Sequence, residues 1–548
     1  MKSLPLQPFT TANFSPEGGG IDFLGLRWVS LTIVGRDLVP QLNNVTQDMG
    51  LFALGAWIPW KFRQLCRSNR DYTEPKYKAF REKLEVAISM TYRAEANLPR
   101  RNGVVRRQLG STQKVTADQR LTFKAAHRGE QNTLYAAANY GPALQALGLI
   151  QTYRSRAEGG APLRVPIVNE DPDTLAIIGA VDRYLRASTE YRLLDSLDIT
   201  NANWGVINNL GNAGLDPAVY RARTFKDLKT SFRKKLLPSA APDPGYRRTL
   251  TARLVLETLG KRRPMSGWEL RNTWYLGRYP DNRPLRISTA ELRDQARRWS
   301  CLMARQYQRF PLEVLLSCFE QALAAGPRSL DEVILFWRRR SSAFNSICER
   351  KLSRFLRDVV RSVGGANDTD RSRSWNANVS ADDDRFEHVA EPQGDDAIKH
   401  ALQMIAGWYW RALIRDQDPE QSELMELGGP DRIAMRWFIQ WLRNRLDCLV
   451  VQVVRDCFSD LVFAQHMRIA LARFDGTSQR LRFALSDNGI EPTLSARKDL
   501  GKLRLPWMPD RLDSLLGLLC DCDVITADGE LLSRGPAADD VIVASEGR

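Results

Sequence analysis

The stretch Glu74-Pro75-Lys76-Tyr77-Lys78-Ala79-Phe80-Arg81-Glu82-Lys83-Leu84-Glu85-Val86-Ala87-Ile88-Ser89-Met90-Thr91 decides the fold class. Tyr77, Phe80, Leu84, Ala87, Ile88 and Thr91 recur at steps of three and four, the period of one helix face. Lys76, Lys83 and Glu85 fall between them and are expected to point outward. The same period returns downstream. Asp173, preceded by Pro172, is placed to cap a helix whose Leu175, Ile178, Val181 and Leu185 form a stripe. Ser329 and Glu332 have the capping-box spacing, ahead of a pattern that runs to about Arg361. Ile405, Trp408, Tyr409, Ala412 and Leu413 begin another stripe, and Trp437, Trp441 and Cys448 a later one. The chain reads as mainly α, a multi-domain helical protein.

Upstream of Glu74 the composition differs. Residues 1–60 are rich in Gly, Pro and aromatics, with Gly18-Gly19-Gly20 ahead of Ile21-Asp22-Phe23-Leu24-Gly25-Leu26-Arg27-Trp28, a turn-and-loop composition. An irregular Gly/aromatic-rich N-terminal cap is expected there. Residues 364–396 break the pattern again, with nine acidic residues against three arginines, few apolar residues and no period. Such a segment cannot bury enough surface to offset its ordering entropy. The expected organisation is a cap over 1–72, a helical domain over 73–220 and a basic helical domain over 221–363. An acidic flexible linker follows over 364–396, then a C-terminal helical domain over 397–526 and a flexible tail over 527–548.

The 548 residues suffice for about three domains at roughly 100–200 residues each. With 43% hydrophobic and 26% charged residues and 14 Trp, disordered, collagenous and disulfide-rich classes are excluded. The opening Met1-Lys2-Ser3-Leu4-Pro5-Leu6-Gln7-Pro8 lacks the apolar run of a secretory signal. Met49 to Trp60 is apolar but too short for a bilayer and carries Gly50, Gly55 and Pro59, so it reads as a buried segment and no membrane association is expected. Eight scattered cysteines read as reduced thiols, and a cytoplasmic location is expected.

Charge is the most directional signal. Lys and Arg number 79 against 64 Asp and Glu, a net +15, which points to a polyanionic partner. Between Arg221 and Arg286, 17 basic residues face five acidic ones, a net +12 within 66 residues. The candidate nucleic-acid-binding residues are Arg221, Arg223, Lys226, Lys229, Arg233, Lys234, Lys235, Arg247, Arg248, Lys261, Arg262, Arg263 and Arg271. Phe225, Phe232, Tyr246, Trp268, Trp274, Tyr275 and Tyr279 interleave with them, a mixture suited to phosphate contact plus base stacking on DNA or RNA. A second group comprises Arg338, Arg339, Arg340, Arg350, Lys351, Arg354, Arg357 and Arg361, of which Arg350, Arg354, Arg357 and Arg361 share one helix face. Arg100, Arg101, Arg106 and Arg107 flank Gly103 in a loop and carry a weaker version of the argument. The competing reading makes the aromatics core and the cations a solvated face, or a surface for an acidic protein partner.

Catalytic patterns are weak. Four histidines (His127, His388, His400, His466) show no HExxH-type pairing, and Cys520 and Cys522 do not form a CxxC pair, so no metal site is expected. Gly501-Lys502 is followed by Leu503, with Ala496 where a phosphate-binding loop needs glycine, and no GxSxG elbow occurs. No catalytic residue and no cofactor is assigned. Asp331 with Glu349 and Lys351 has the acid, acid-x-Lys order of a metal-dependent nuclease, which stays as an alternative. Asp382-Asp383-Asp384 reads as solvated charge rather than an ion site. The acidic linker has the charge to fold back on the 221–286 window and compete with nucleic acid.

Gly20-Ile21-Asp22-Phe23-Leu24-Gly25-Leu26-Arg27, then Leu42-Asn43-Asn44-Val45-Thr46 and an aromatic segment with Trp57 and Trp60, resembles the front of large bacterial proteins encoded in multi-gene anti-phage defence operons. In size and character the chain is similar to the accessory proteins of the Druantia system, the DruB-like ones above all. The resemblance covers about 40 residues of structural type. It implies a role in antiviral defence beside sister subunits, a very large helicase among them, and transfers no catalytic residue; with no catalytic motif among the residues, the chain reads as a non-enzymatic component of such an assembly. A scaffold for an acidic partner subunit and a divergent nuclease are the alternatives.

Overall fold

The computed structural model describes residues 22–66, 72–91, 120–122, 134–135, 139–152, 165–197, 199, 201–260, 263–324, 326–362, 394–473, 481–493, 496–497, 500 and 508–543. Helices dominate them, and the strands are two to four residues long, so the chain is mainly α. Glu74–Thr91 is one helix, with Tyr77, Phe80, Leu84, Ala87 and Ile88 buried as the spacing predicts. Lys83 and Glu85 are buried too, against expectation. Lys83 Nζ donates to the carbonyl of Leu193 at 2.9 Å, and Glu85 Oε1 accepts from the Leu134 amide at 2.8 Å. Each inward charge finds a backbone partner, which is the condition for burying it.

The cap is more regular than its composition suggests. Leu26–Ile33 and Met49–Leu65 are helices, and Asp48 caps the second by accepting from the Gly50 amide. Met49 to Pro59 is buried throughout, as expected for an apolar segment too short to span a bilayer. No described helix is long and apolar enough to cross a membrane. In Pro172–Arg186 the cap is Asp171, not Asp173, because Pro172 occupies the first helical position. The buried stripe there runs through Ile177, Ile178, Val181 and Leu185, and Leu175 is exposed.

The described residues divide into two units. The larger takes 30–306 together with the C-terminal segment 508–543, and the smaller takes 22–29, 307–362 and 394–500. This differs from the linear series of domains, because segments far apart in sequence pair. Residues 363–393, nearly all of the expected acidic linker, lie outside the described residues. The expected flexible tail is structured as far as Val543. Ile525–Asp528 and Leu531–Arg534 form an antiparallel hairpin around Gly529-Glu530, with Gly529 at φ +60. Its second strand pairs with Met265–Ser266 in the same unit, and Arg534 Nε donates to the carbonyl of Leu256 at 2.9 Å. Leu532, Ala538 and Val541 are buried, so apolar positions spaced among polar ones hold the terminus down.

In the smaller unit the capping box is present: Ser329 Oγ accepts from the Glu332 amide and the Glu332 carboxylate from the Ser329 amide. The pattern that reads as continuous to Arg361 is three helices, Leu330–Arg340, Ser342–Asn345 and Leu352–Ser362. It breaks at Ser341, whose backbone is extended and whose Oγ caps the next helix at Phe344. Met435–Arg443 buries Phe438, Ile439 and Trp441, while Cys448 lies beyond its end.

Candidate nucleic-acid interface

Among the described residues, seven of the thirteen candidate cations, Arg221, Lys229, Arg233, Lys234, Lys235, Arg247 and Arg271, are met by carboxylates from outside the 221–286 window, all within the larger unit. Arg221 lies 2.6 Å from Asp48 and 3.2 Å from Asp521. Lys229, buried, donates to both oxygens of Asp523 at 2.9 Å and to the carbonyl of Arg221 at 2.7 Å. Arg233 reaches Asp540 at 2.6 Å, Lys234 reaches Asp173 at 3.4 Å, Lys235 reaches Asp171 at 2.7 Å and Arg247 reaches Asp294 at 2.8 Å. Arg263 stands 4.0 Å from Asp281.

Two members are fully internal. Arg248 donates to the carbonyls of Leu236 (2.6 Å) and Pro40 (2.8 Å) and to Gln41 Oε1 (3.1 Å), and burial pulls its pKa down to about 10. Arg271 makes two 2.6 Å bonds to Asp510 and a third to Asp513 at 3.1 Å. Burial opposes its charge, yet the two carboxylates outweigh it and its pKa is raised. Phe225, Phe232, Trp274 and Tyr275 are buried and offer no stacking face. Of the expected site residues that are described, Arg223 and Lys226 are exposed without an ion-pair partner among the described residues. Lys261 and Arg262, like Arg100, Arg101, Arg106 and Arg107, lie outside them. Nine of the fifteen described cations of the window thus have a carboxylate within 4.0 Å, and several of the rest face solvent.

The second basic group behaves differently. Leu352–Ser362 is sharply two-faced, with Leu352, Phe355, Leu356 and Val359 buried and Arg354, Arg357 and Arg361 exposed. The apolar face packs against the helices Ala397–Asp416 and Val450–Asp456 of the same unit. The helix start is pinned: the Leu352 and Ser353 amides donate to the carbonyls of Cys448 and Leu446 at 2.9 Å each. The Val450 amide in turn donates to the Arg350 carbonyl at 2.8 Å. Free N–H groups at this end are thus already used, so anion attraction here falls to side chains.

Arg350 and Lys351 precede the helix and line the same open groove, of about 540 Å³, as Arg354, Arg357 and Arg361. Arg350 has a long 3.7 Å contact with Asp358, and Lys351 a 3.6 Å contact with the exposed Asp447. Pairs so exposed and long contribute little. Arg354, Arg357 and Arg361 have no acidic partner among the described residues. Like charges three and four residues apart on a helix repel by roughly 0.2–0.5 kcal/mol per pair. A bound polyanion relieves that repulsion.

No family model, curated protein or solved structure matches the chain. The carboxylates considered for a nuclease do not converge: Asp331 pairs with Arg455 at 2.7 Å, and Glu349 with Arg338 at 3.1 Å. Among the described residues no group of three or more His, Cys, Asp or Glu could hold a metal ion. The stripe was legible as a shared helix face, but the density of charge in the other window outranked it. The discriminating signal was the clean separation of Leu352, Phe355, Leu356 and Val359 from the arginines, which leaves the cations nowhere to go but solvent.

Proposed function

We propose that the chain is a non-enzymatic, nucleic-acid-contacting component of a multi-subunit bacterial antiviral assembly, and that it makes that contact through Arg350, Lys351, Arg354, Arg357 and Arg361. The observation that carries the contact is the row of three exposed arginines, Arg354, Arg357 and Arg361, without acidic partners among the described residues. The defence role is supported by the resemblance of about 40 residues between Gly20 and Trp60 to proteins of anti-phage defence operons, and by the chain's likeness in size and character to the Druantia accessory proteins. Sister subunits, a large helicase among them, are the partners that role brings.

The test compares the full chain with R354A/R357A/R361A and with R223A/K226A on immobilised heparin and on labelled DNA. Loss of retention in the first variant, with the second near wild type, supports the reading. Equal retention of all three chains on both matrices sinks it. Capture of an acidic sister subunit by a chain that ignores DNA turns the same surface into a scaffold for that subunit.

A further inference from the structure

Resting on that reading, we infer that the groove takes the sugar-phosphate backbone of a nucleic-acid duplex rather than a single strand, and reads it without regard to sequence. Three observations lead there. First, among the described residues no aromatic side chain lines the groove. The aromatics nearest in sequence, Trp337, Phe344 and Phe355, are all buried. Single strands are held without sequence preference by stacking bases on exposed aromatic faces, and the described residues of the groove supply none.

Second, among the described residues that line the groove there is no Asn or Gln, the side chains that read adenine edges through paired donor and acceptor. Its donors are guanidinium and ammonium groups and the Ser353 hydroxyl, all of which suit phosphate oxygens.

Third, the spacing fits. At about 1.5 Å of rise per residue, Arg354 to Arg361 spans about 10.5 Å. Phosphates on one strand of a duplex advance about 3.4 Å each along the axis, so the stripe is as long as about three of them. Three arginines stand on that length. A duplex also carries a second strand's charge at the same place, doubling the linear charge density that the stripe meets.

Asp358 sets a ceiling on the affinity. It lines the groove among the cations, 3.7 Å from Arg350, and presents a negative charge toward any incoming phosphate. Asp358→Asn removes that repulsion while keeping the shape of the side chain.

The experiment is fluorescence anisotropy of the full chain with a labelled DNA duplex of roughly 20 base pairs and with oligo(dT) of the same length, between about 50 and 200 mM salt. Three to five neutralised phosphates give a slope of log K against log salt of about −2.7 to −4.5 on the duplex. R354A/R357A/R361A loses about 2.7 of that slope. Asp358→Asn binds the duplex severalfold more tightly, a gain that misfolding cannot produce. Tighter binding to oligo(dT) than to the duplex overturns the duplex assignment and leaves polyanion contact standing. Absence of binding to both probes at low salt overturns both. Duplex binding unmoved by the triple variant and by Asp358→Asn removes the groove from the account altogether.

Discussion

Arg271 and Asp510, 239 residues apart, meet through two parallel 2.6 Å hydrogen bonds with both side chains buried. The fork-on-fork geometry of guanidinium and carboxylate makes this a strong charge-assisted contact, and Asp513 adds a third bond. It ties the C-terminal segment to the helix Gly267–Leu276 within the larger unit. Removing Arg271 leaves Asp510 buried without its guanidinium, whereas removing Asp510 leaves Arg271 with Asp513 and the Gly267 carbonyl. Arg271→Ala is expected to cost about 3–5 kcal/mol in urea unfolding, whereas replacing both with apolar residues of similar volume recovers most of it. A single substitution within 1 kcal/mol of wild type contradicts the assignment.

Gly50→Ala tests packing against propensity. Alanine is favoured over glycine in a helix by about 1 kcal/mol. Yet a Cβ at Gly50 would stand 2.2 Å from the Pro217 carbonyl oxygen and 2.7 Å from its Cα, both backbone atoms that cannot swing away. The substitution is expected to destabilise the larger unit by about 1–3 kcal/mol, read as a lowered unfolding midpoint. A raised midpoint would show that the segment around Pro217 yields.

His466 makes the smaller unit sensitive to acid. The Arg482 amide donates to Nε2 at 3.0 Å, so Nε2 is unprotonated and the proton sits on Nδ1, facing the Phe23 carbonyl at 3.2 Å. Burial lowers its pKa to about 4, with Arg482 adding to the effect and the Phe23 bond opposing it. The unfolded chain takes up the proton near pH ~6.5, so it binds more protons than the fold between there and about pH 4. Stability therefore falls as pH drops through that interval, by about 3 kcal/mol in all, and this contribution levels off below it. Thermal melting of wild type against His466→Gln between those limits measures the difference. Parallel pH profiles count against it.

Truncation after Val524 addresses the tail. It removes the hairpin, the pairing with Met265–Ser266 and the buried Leu532 and Val541. Burying each such side chain is worth about 1.5–3 kcal/mol, so the truncated larger unit is expected to melt well below the full chain. An unchanged melt would restore the tail to a dispensable role.

The helices were legible because burial follows the 3.6-residue period in the segments that matter, as in Tyr77, Phe80 and Leu84. Ser329 with Glu332 was legible because a capping box is local. Charge pairing was not, since a count over 66 residues cannot see Asp48, Asp510, Asp521, Asp523 or Asp540 arriving from elsewhere. One clue was available: Lys229 lies four residues after Phe225 and three before Phe232, on the apolar face of its own helix. A lysine there is placed in the core by periodicity and must find a carboxylate. The break at Ser341 was hidden because apolar spacing continues across it while the backbone turns.

The bond between Lys229 and Asp523 spans 294 residues. At ~5–20 residues per second of synthesis, about 15–60 s separate the emergence of the lysine from that of its carboxylate. Arg221 and Arg233 wait about as long for Asp521 and Asp540. During that interval a segment of net charge +12 has its upstream partners, Asp48, Asp171 and Asp173, and lacks those that the C-terminal segment carries. The larger unit therefore cannot complete its ion pairing until the segment carrying Asp521, Asp523 and Asp540 has been made.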